Sequence, residues 1–216
     1  MTGTYVGSRR VFVTLDGMGG AGKSTTTRHL HQDLTAAGYT VHVTAQPSHD
    51  RFGEIARHGT DTYTGHTVAC LVAADRYHHL ATQIRPQLAA DRIVLCDRYV
   101  ASSYVLQRMD RSADRVHRSA QRRSRRPGPR RDPHRPPGRH HPADRAARRA
   151  SRFEAGIATS RAEADLYRDA TARLTELGWP LLTIDTTRTP IEQVTAAIAG
   201  RITQLASLPQ GDSATA

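Results

Sequence analysis

Gly17-Met18-Gly19-Gly20-Ala21-Gly22-Lys23-Ser24 puts four glycines, a lysine and a hydroxyl into eight residues, with Thr25 next. The spacing matches G-x-x-x-x-G-K-[ST] in full. Glycines let backbone N–H groups converge on phosphate oxygens at the positive end of a helix. Lys23 would reach the β- and γ-phosphates, and Ser24 would offer its hydroxyl to Mg²⁺. ATP or GTP binding by Gly17 to Thr25 follows, provided a strand precedes the loop and a helix follows it. A second constellation is Asp97-Arg98-Tyr99 with Ser102, Ser103 and Gln107 after it. Asp97 would help Ser24 hold the metal, and Arg98 can fork onto an acceptor phosphate. A third is Ala73-Ala74-Asp75-Arg76, in which Arg76 is either a base-contacting group or an exposed helix residue. Asp16 is a candidate for the Mg²⁺ surroundings or for a helix cap.

The elements that must position these groups alternate. Residues 10–15 are a short apolar run ending at the glycine-rich turn and read as a buried strand. Residues 23–37 read as a helix that uses Leu30 and Leu34 and stops at Gly38. Further strands are expected at 40–44, 92–96 and 180–184. Further helices are expected at 67–84, with Val68, Leu71, Val72 and Leu80 inward, and at 100–109. Two more run from Phe153 to Leu177, stopped by Gly178, and over 189–206. Strands alternating with helices imply an α/β fold, a parallel sheet covered on both faces. Ligands in such sheets bind beyond the carboxyl ends of the strands, where Asp97 and the glycine-rich loop would share a rim.

The charge is confined to one stretch. The chain of 216 residues has 31 Lys plus Arg against 20 Asp plus Glu, a formal net charge of +11. Residues 111–150 hold 14 arginines and three acids, which is +11 by itself, so the rest of the chain is neutral. That segment has six prolines, and its apolar content is six alanines and Val116. It cannot bury enough surface to offset the entropy of ordering it. Three readings compete: a basic arm for nucleic acid, a disordered insertion, and a stretch translated out of frame. The absence of lysine and of interleaved aromatics argues against nucleic acid. One lysine beside 30 arginines points to GC-rich coding DNA, and the third reading fits best. The expected organisation is an extension at 1–9, one kinase-type domain at 10–206 containing the anomalous segment, and a tail at 207–216.

No run of eighteen apolar residues exists, so no membrane-spanning helix is expected. The N-terminus has no apolar h-region, and Cys70 and Cys96 sit in apolar surroundings without disulfide or metal spacing. A reduced, cytoplasmic setting is expected. The twelve histidines show no ligand spacing, and nearly all of them are expected at the surface.

Together the glycine-rich loop, Ala73-Ala74-Asp75-Arg76, Ile84-Arg85-Pro86 with Leu88, and Val94-Leu95-Cys96-Asp97-Arg98-Tyr99 with Ser102-Ser103 resemble bacterial thymidylate kinases. Arg152-Phe153-Glu154 resembles the start of the helix after that family's lid, and Ile184-Asp185-Thr186-Thr187 resembles the loop beside the adenine. The resemblance covers roughly 10–110 and 150–205. It implies a P-loop nucleoside monophosphate kinase fold and transfer of the ATP γ-phosphoryl group to dTMP with Mg²⁺. Lys23 would then stabilise the transferred group, and Arg98 would hold the acceptor phosphate. Arg76 would contact the base, and Arg148, Arg149 or Arg152 would act as the lid arginine. Asp185 would lie beside the adenine, and Tyr99, Ser103 and Gln107 would belong to the acceptor site. A homodimer is also implied.

Four departures stand out. Gly19 replaces the usual acid, Ala45-Gln46-Pro47 replaces Arg-Glu-Pro, and Val72 replaces the aromatic that stacks on thymine. Nothing in 111–150 can supply the family's next strand, although motif resumes in register at Arg152. The alternatives are a kinase for another nucleotide or nucleoside, an inactive nucleotide binder, and a basic nucleic-acid-associated protein.

Overall fold

A computed structural model describes residues 10–59, 62–109 and 156–207. The order is β1 (Phe12–Leu15), α1 (Lys23–Ala36), β2 (Val41–Ala45), α2 (Arg51–His58), α3 (His66–His79) and, after a π-type turn at Leu80–Ile84, α4 (Arg85–Ala89). Then come β3 (Ile93–Asp97), α5 (Val100–Met109), α6 (Gly156–Glu176) and α7 (Ile191–Ser207). The predicted segment 111–150, with Arg148 and Arg149, lies outside the described residues, as do Arg152, 1–9 and 208–216.

β3 explains the layers. It is parallel to both neighbours, in the order β1-β3-β2. Ile93, Val94, Leu95 and Cys96 are all fully buried, because a central parallel strand has helices on both faces. Ile93 and Leu95 pack with Leu30 and Leu34 of α1 and with Ile202 and Ala206 of α7. Val94 and Cys96 point the other way, into Ile84, Tyr99, Val100 and Leu174. Burial pushes the Cys96 thiol well above its ordinary range.

Two helix stops follow the glycines. Gly38 (φ 84°) and Gly178 (φ 70°) take left-handed backbone. At each, the next residue's N–H reaches five residues back, Tyr39 to Leu34 and Trp179 to Leu174, which satisfies a terminal carbonyl. Pro86 sits in the first turn of α4, where its missing N–H costs little, so the helical run continues past 84 to Ala89.

Four sequence expectations need correction. Residues 180–184 are not a strand; Leu181 and Leu182 are exposed. A strand exists only beside a ladder partner, and none of the three described strands pairs with this segment. The inward face of α3 is Ala69, Asp75, Arg76 and His79 rather than its larger apolar residues, which are only half-buried. Polar groups go inside there because each finds a partner. His79 is therefore buried, not a surface histidine, and Cys70 is exposed.

α2 lies where the sequence reading assigns no element. Its signals are Asp50, whose carboxylate accepts from the Arg51 amide, and Glu54 in the first turn. Gly53 is required by close approach, since a Cβ there would lie 2.0 Å from the Ser48 carbonyl oxygen.

Leu95→Ala should empty the centre of the α1/α7 face and cost about 2–5 kcal/mol. Urea unfolding followed by circular dichroism checks this; a loss below ~1 kcal/mol would contradict the packing described.

Candidate active site

The parallel register sets Leu15, Ala45 and Asp97 level with one another at one rim of the sheet. The phosphate loop, the Gln46–Ser48 turn and Arg98 all leave from that rim. From Leu15 the chain turns through residues 16–22 into α1. Gly20 (φ 76°) and Gly22 (φ 79°) adopt backbone that side chains rarely take. α1 starts at Lys23 without a side-chain cap or an acid in its first turn. Its leading N–H groups are thus left for an anion, at the positive end of the helix dipole.

Lys23 lies back across this loop, donating to the Gly17 carbonyl at 2.9 Å and the Met18 carbonyl at 2.7 Å. Burial, then the nearby Arg98 guanidinium, lowers its pKa; Asp97, Glu163 and Asp16 oppose that shift. An ammonium so placed gains by meeting phosphate.

Ser24 Oγ donates to Asp97 Oδ2 at 2.8 Å. Asp97 Oδ1 is buried with no hydrogen-bond partner among the described residues. A hydroxyl and a carboxylate with a spare buried oxygen form an all-oxygen donor pair, which fits Mg²⁺. The structure thus brings the two expected metal-holding residues together.

Asp16 resolves as a cap. Its Oδ1 accepts from the amides of Tyr99, 2.9 Å away, and Ser102, 2.8 Å away, at the start of α5. The residue just after β1 therefore holds the N-terminus of a helix more than eighty positions downstream. Ser102 Oγ lies 3.1 Å from the Tyr167 hydroxyl, which ties α6 to the same corner.

Arg98 has φ 67°, uncommon for a residue with a Cβ, and its amide donates to the Leu15 carbonyl at 2.9 Å. Such strain is characteristic of sites where side-chain direction matters. One terminal nitrogen of Arg98 is buried without a partner among the described residues. Arg98 also acts electrostatically on Lys23 and on the Tyr167 phenol. It is a guanidinium with donor capacity to spare beside the phosphate loop.

Arg76 is buried, not exposed. Its Nε donates to Gln46 Oε1 at 2.9 Å and its Nη2 donates to Ser103 Oγ. The guanidinium lies 5.2 Å from the Tyr99 ring centroid, a cation–π arrangement. Tyr99 itself is a buried platform, edge-on to Phe12 with centroids 5.1 Å apart, and burial pushes its phenol to about 12. Gln107 is carried by the same helix, α5. Asp185 makes a local turn, accepting from the Thr187 amide at 2.9 Å and hydroxyl at 2.6 Å. Those two bonds lower its pKa.

The sequence reading missed the supports of Arg76. Gln46 and Ser48 follow β2, and Asp75 and His79 come from α3. Asp75 accepts from the Ser48 amide at 2.8 Å and from the Ser48 hydroxyl at 2.5 Å. The available signal was the i, i+4 pair Asp75 and His79, polar residues on a face the packing must bury. Alongside runs a groove of ≈ 1050 Å³ lined by Ser24, Arg28, Thr44, His79, Gln83 and Asp97 among others.

A phosphate loop on a parallel sheet, followed by a hydroxyl–carboxylate pair and an arginine at the next strand end, defines a P-loop nucleotide kinase fold. The thymidylate kinase family model matches residues 15–127, and the chain belongs to that family. That match ends inside the arginine-rich stretch. The thymidylate kinase of Desulforudis audaxviator is 38% identical over 117 residues, 51% of this chain and 52% of that protein. That of Clavibacter sepedonicus is 40% identical over 108 residues, 48% of this chain and 51% of that protein. The chain spans about half the length of the curated relatives it matches. In fold it is similar to the crystal structure of thymidylate kinase from Ehrlichia chaffeensis, with TM-score 0.60 and 19% identity. That similarity covers 91% of this chain and 99% of the other.

Asp16→Ala leaves two amides at the start of α5 without their acceptor and should cost about 1–2 kcal/mol. Asp16→Asn, which keeps an acceptor oxygen, should retain most of that stability. Urea midpoints of the two variants check the difference; equal midpoints would show that the cap contributes nothing.

Proposed function

We infer that this chain is a kinase that transfers the γ-phosphoryl group of ATP to a nucleoside monophosphate, dTMP by family, giving dTDP. The observation that carries the reading is the convergence of Lys23, Ser24, Asp97 and Arg98 at one strand rim. Family membership supports ATP as the donor.

The roles follow from the geometry. Backbone amides of 17–24 hold the donor phosphates. Lys23 exchanges its two carbonyl partners for phosphate oxygens, at little cost because both states are charge-assisted. Ser24 and Asp97 would hold Mg²⁺, which supplies neutralisation of charge between donor phosphates. Arg98 offers its spare donor to the acceptor phosphate, and Arg76, over the Tyr99 ring, binds the acceptor nucleoside, with Ser103 and Gln107 assigned to the same acceptor site. Asp185 flanks the adenine, and Arg149 or Arg152 supplies the lid arginine. Catalysis is then in-line transfer by positioning and charge neutralisation. The changes at Gly19, Ala45 and Val72 favour a second reading, phosphorylation of another nucleotide or nucleoside.

Residues 10–206 are taken as one kinase domain between an extension and a tail, with 111–150 read out of frame. Sequencing the coding DNA across 105–155 tests this; if neither other frame encodes an apolar strand, the frame reading is wrong.

Release of ADP coupled to a reporter, measured across nucleoside monophosphates with Mg-ATP, tests the activity. Turnover should be greatest with dTMP and should vanish with EDTA. Lys23→Ala should lower kcat about 10²–10³-fold, the scale of losing one preorganised transition-state contact. Arg98→Ala should raise the acceptor KM more than the ATP KM. Equal effects on both would remove Arg98 from the acceptor clamp.

A further inference from the structure

We propose that His79 is a positioning residue for acceptor recognition, its ring accepting from the Gln46 amide NH₂ and so holding the Gln46 carbonyl where it aims Arg76. The inference rests on the reading of Arg76 as an acceptor-binding group.

The relay crosses three elements. His79 Nδ1 lies 3.2 Å from Gln46 Nε2. His79 Nε2 lies 2.8 Å from Thr44 Oγ1 and 2.5 Å from Gln83 Oε1. Thr44 Oγ1 also donates to Gln83 Oε1 at 2.7 Å. Gln46 Oε1 accepts from Arg76 Nε at 2.9 Å, and Arg76 donates onward to Ser103 Oγ.

Donor and acceptor chemistry leaves one consistent assignment. Arginine has no acceptor, so the carbonyl end of Gln46 must face Arg76. The amide NH₂ then points at His79 and needs an acceptor there, which only an unprotonated Nδ1 supplies. His79 is therefore neutral with its proton on Nε2, and it donates that proton to Gln83 Oε1. Gln46, Arg76 and His79 are all buried, so water cannot substitute for a lost partner. With no acceptor at 79, the buried Gln46 NH₂ is left unsatisfied, and the side chain can relieve that only by shifting toward another partner. Such a shift draws the Gln46 carbonyl off Arg76 Nε and removes one of the contacts that aim the guanidinium.

The surroundings keep His79 neutral. Burial is the main cause lowering its pKa, with His78 and Arg76 acting in the same direction. Gln83 and Asp75 oppose. On β2 the pKa of His42 is likewise lowered, first by burial and then by Arg92 and His79. Asp75, one turn earlier on α3, pins Ser48, so the loop that carries Gln46 is tied to α3 at two points.

The experiment compares His79→Leu, which has no acceptor, with His79→Gln, which has one. Steady-state kinetics varies acceptor and ATP in turn, with Arg76→Ala and the double variant Arg76→Ala/His79→Leu alongside. His79→Leu should raise the acceptor KM about tenfold and leave the ATP KM unchanged, as expected for a misplaced buried hydrogen bond. His79→Gln should stay within about twofold of the parent. The double variant should be no worse than Arg76→Ala alone, since both changes break one relay. If Arg76→Ala leaves the acceptor KM unchanged, the reading of Arg76 fails and the relay falls with it. If Arg76→Ala raises the acceptor KM but His79→Leu does not, or the two effects add, the relay alone is overturned. Should His79→Leu not fold, ¹⁵N NMR of the parent imidazole decides. A proton on Nε2 with a hydrogen-bonded Nδ1 sustains the proposal, and a proton on Nδ1 overturns it.

Discussion

The structure depends on the parallel register of β3 between β1 and β2. Parallel strands end on the same side, so three separate stretches of sequence are delivered to one rim. Leu15 hands over to the phosphate loop, Ala45 to the Gln46–Ser48 turn, and Asp97 to Arg98. Without that register, Ser24 and Asp97, separated by 73 positions, would not share a hydrogen bond. The cost of bringing them together is met by the full burial of Ile93 to Cys96 between two helical layers. Chemistry at the rim and packing beneath it are therefore one device.

Side chains at the rim do structural and chemical work together. Asp16 leaves β1 beside the phosphate loop yet spends its carboxylate oxygen on the N-terminus of α5. Tyr99 fills the core below and gives Arg76 a surface above. Arg98 begins the turn into α5 in a strained conformation while one of its nitrogens has no partner among the described residues. A fold can hold such strain only where neighbouring contacts over-determine the backbone. Here the Leu15 carbonyl and the Asp16 cap do so.

The sequence relatives and the structural neighbour divide this chain differently. Relatives align over about half of it, whereas the fold similarity spans nearly all of it. Helices α6 and α7 belong to the packed fold, where Leu174 and Ile202 close the two faces of the sheet. Residues 180–184 have strand composition but no ladder partner among the described strands. Composition alone does not make a strand; a neighbour with free backbone groups does.

Much was legible in the residues themselves. The glycine-rich loop, the helix stops at Gly38 and Gly178, and the continuous apolar run of β3 are local signals, set by backbone freedom and by periods of two and 3.6 residues. Asp97 and Arg98 were legible as a pair because they follow a strand. The polar face of α3 was not. Asp75, Arg76 and His79 look like solvent-facing residues on an amphipathic helix, and burying them is favourable only because Ser48, Gln46, Thr44 and Ser103 arrive from distant parts of the chain. The same holds for Asp16, whose choice of helix cap needed α5 to lie beside it. Local sequence determines which backbone shapes are cheap. Which polar groups can afford to leave water is decided by the partners that tertiary packing supplies.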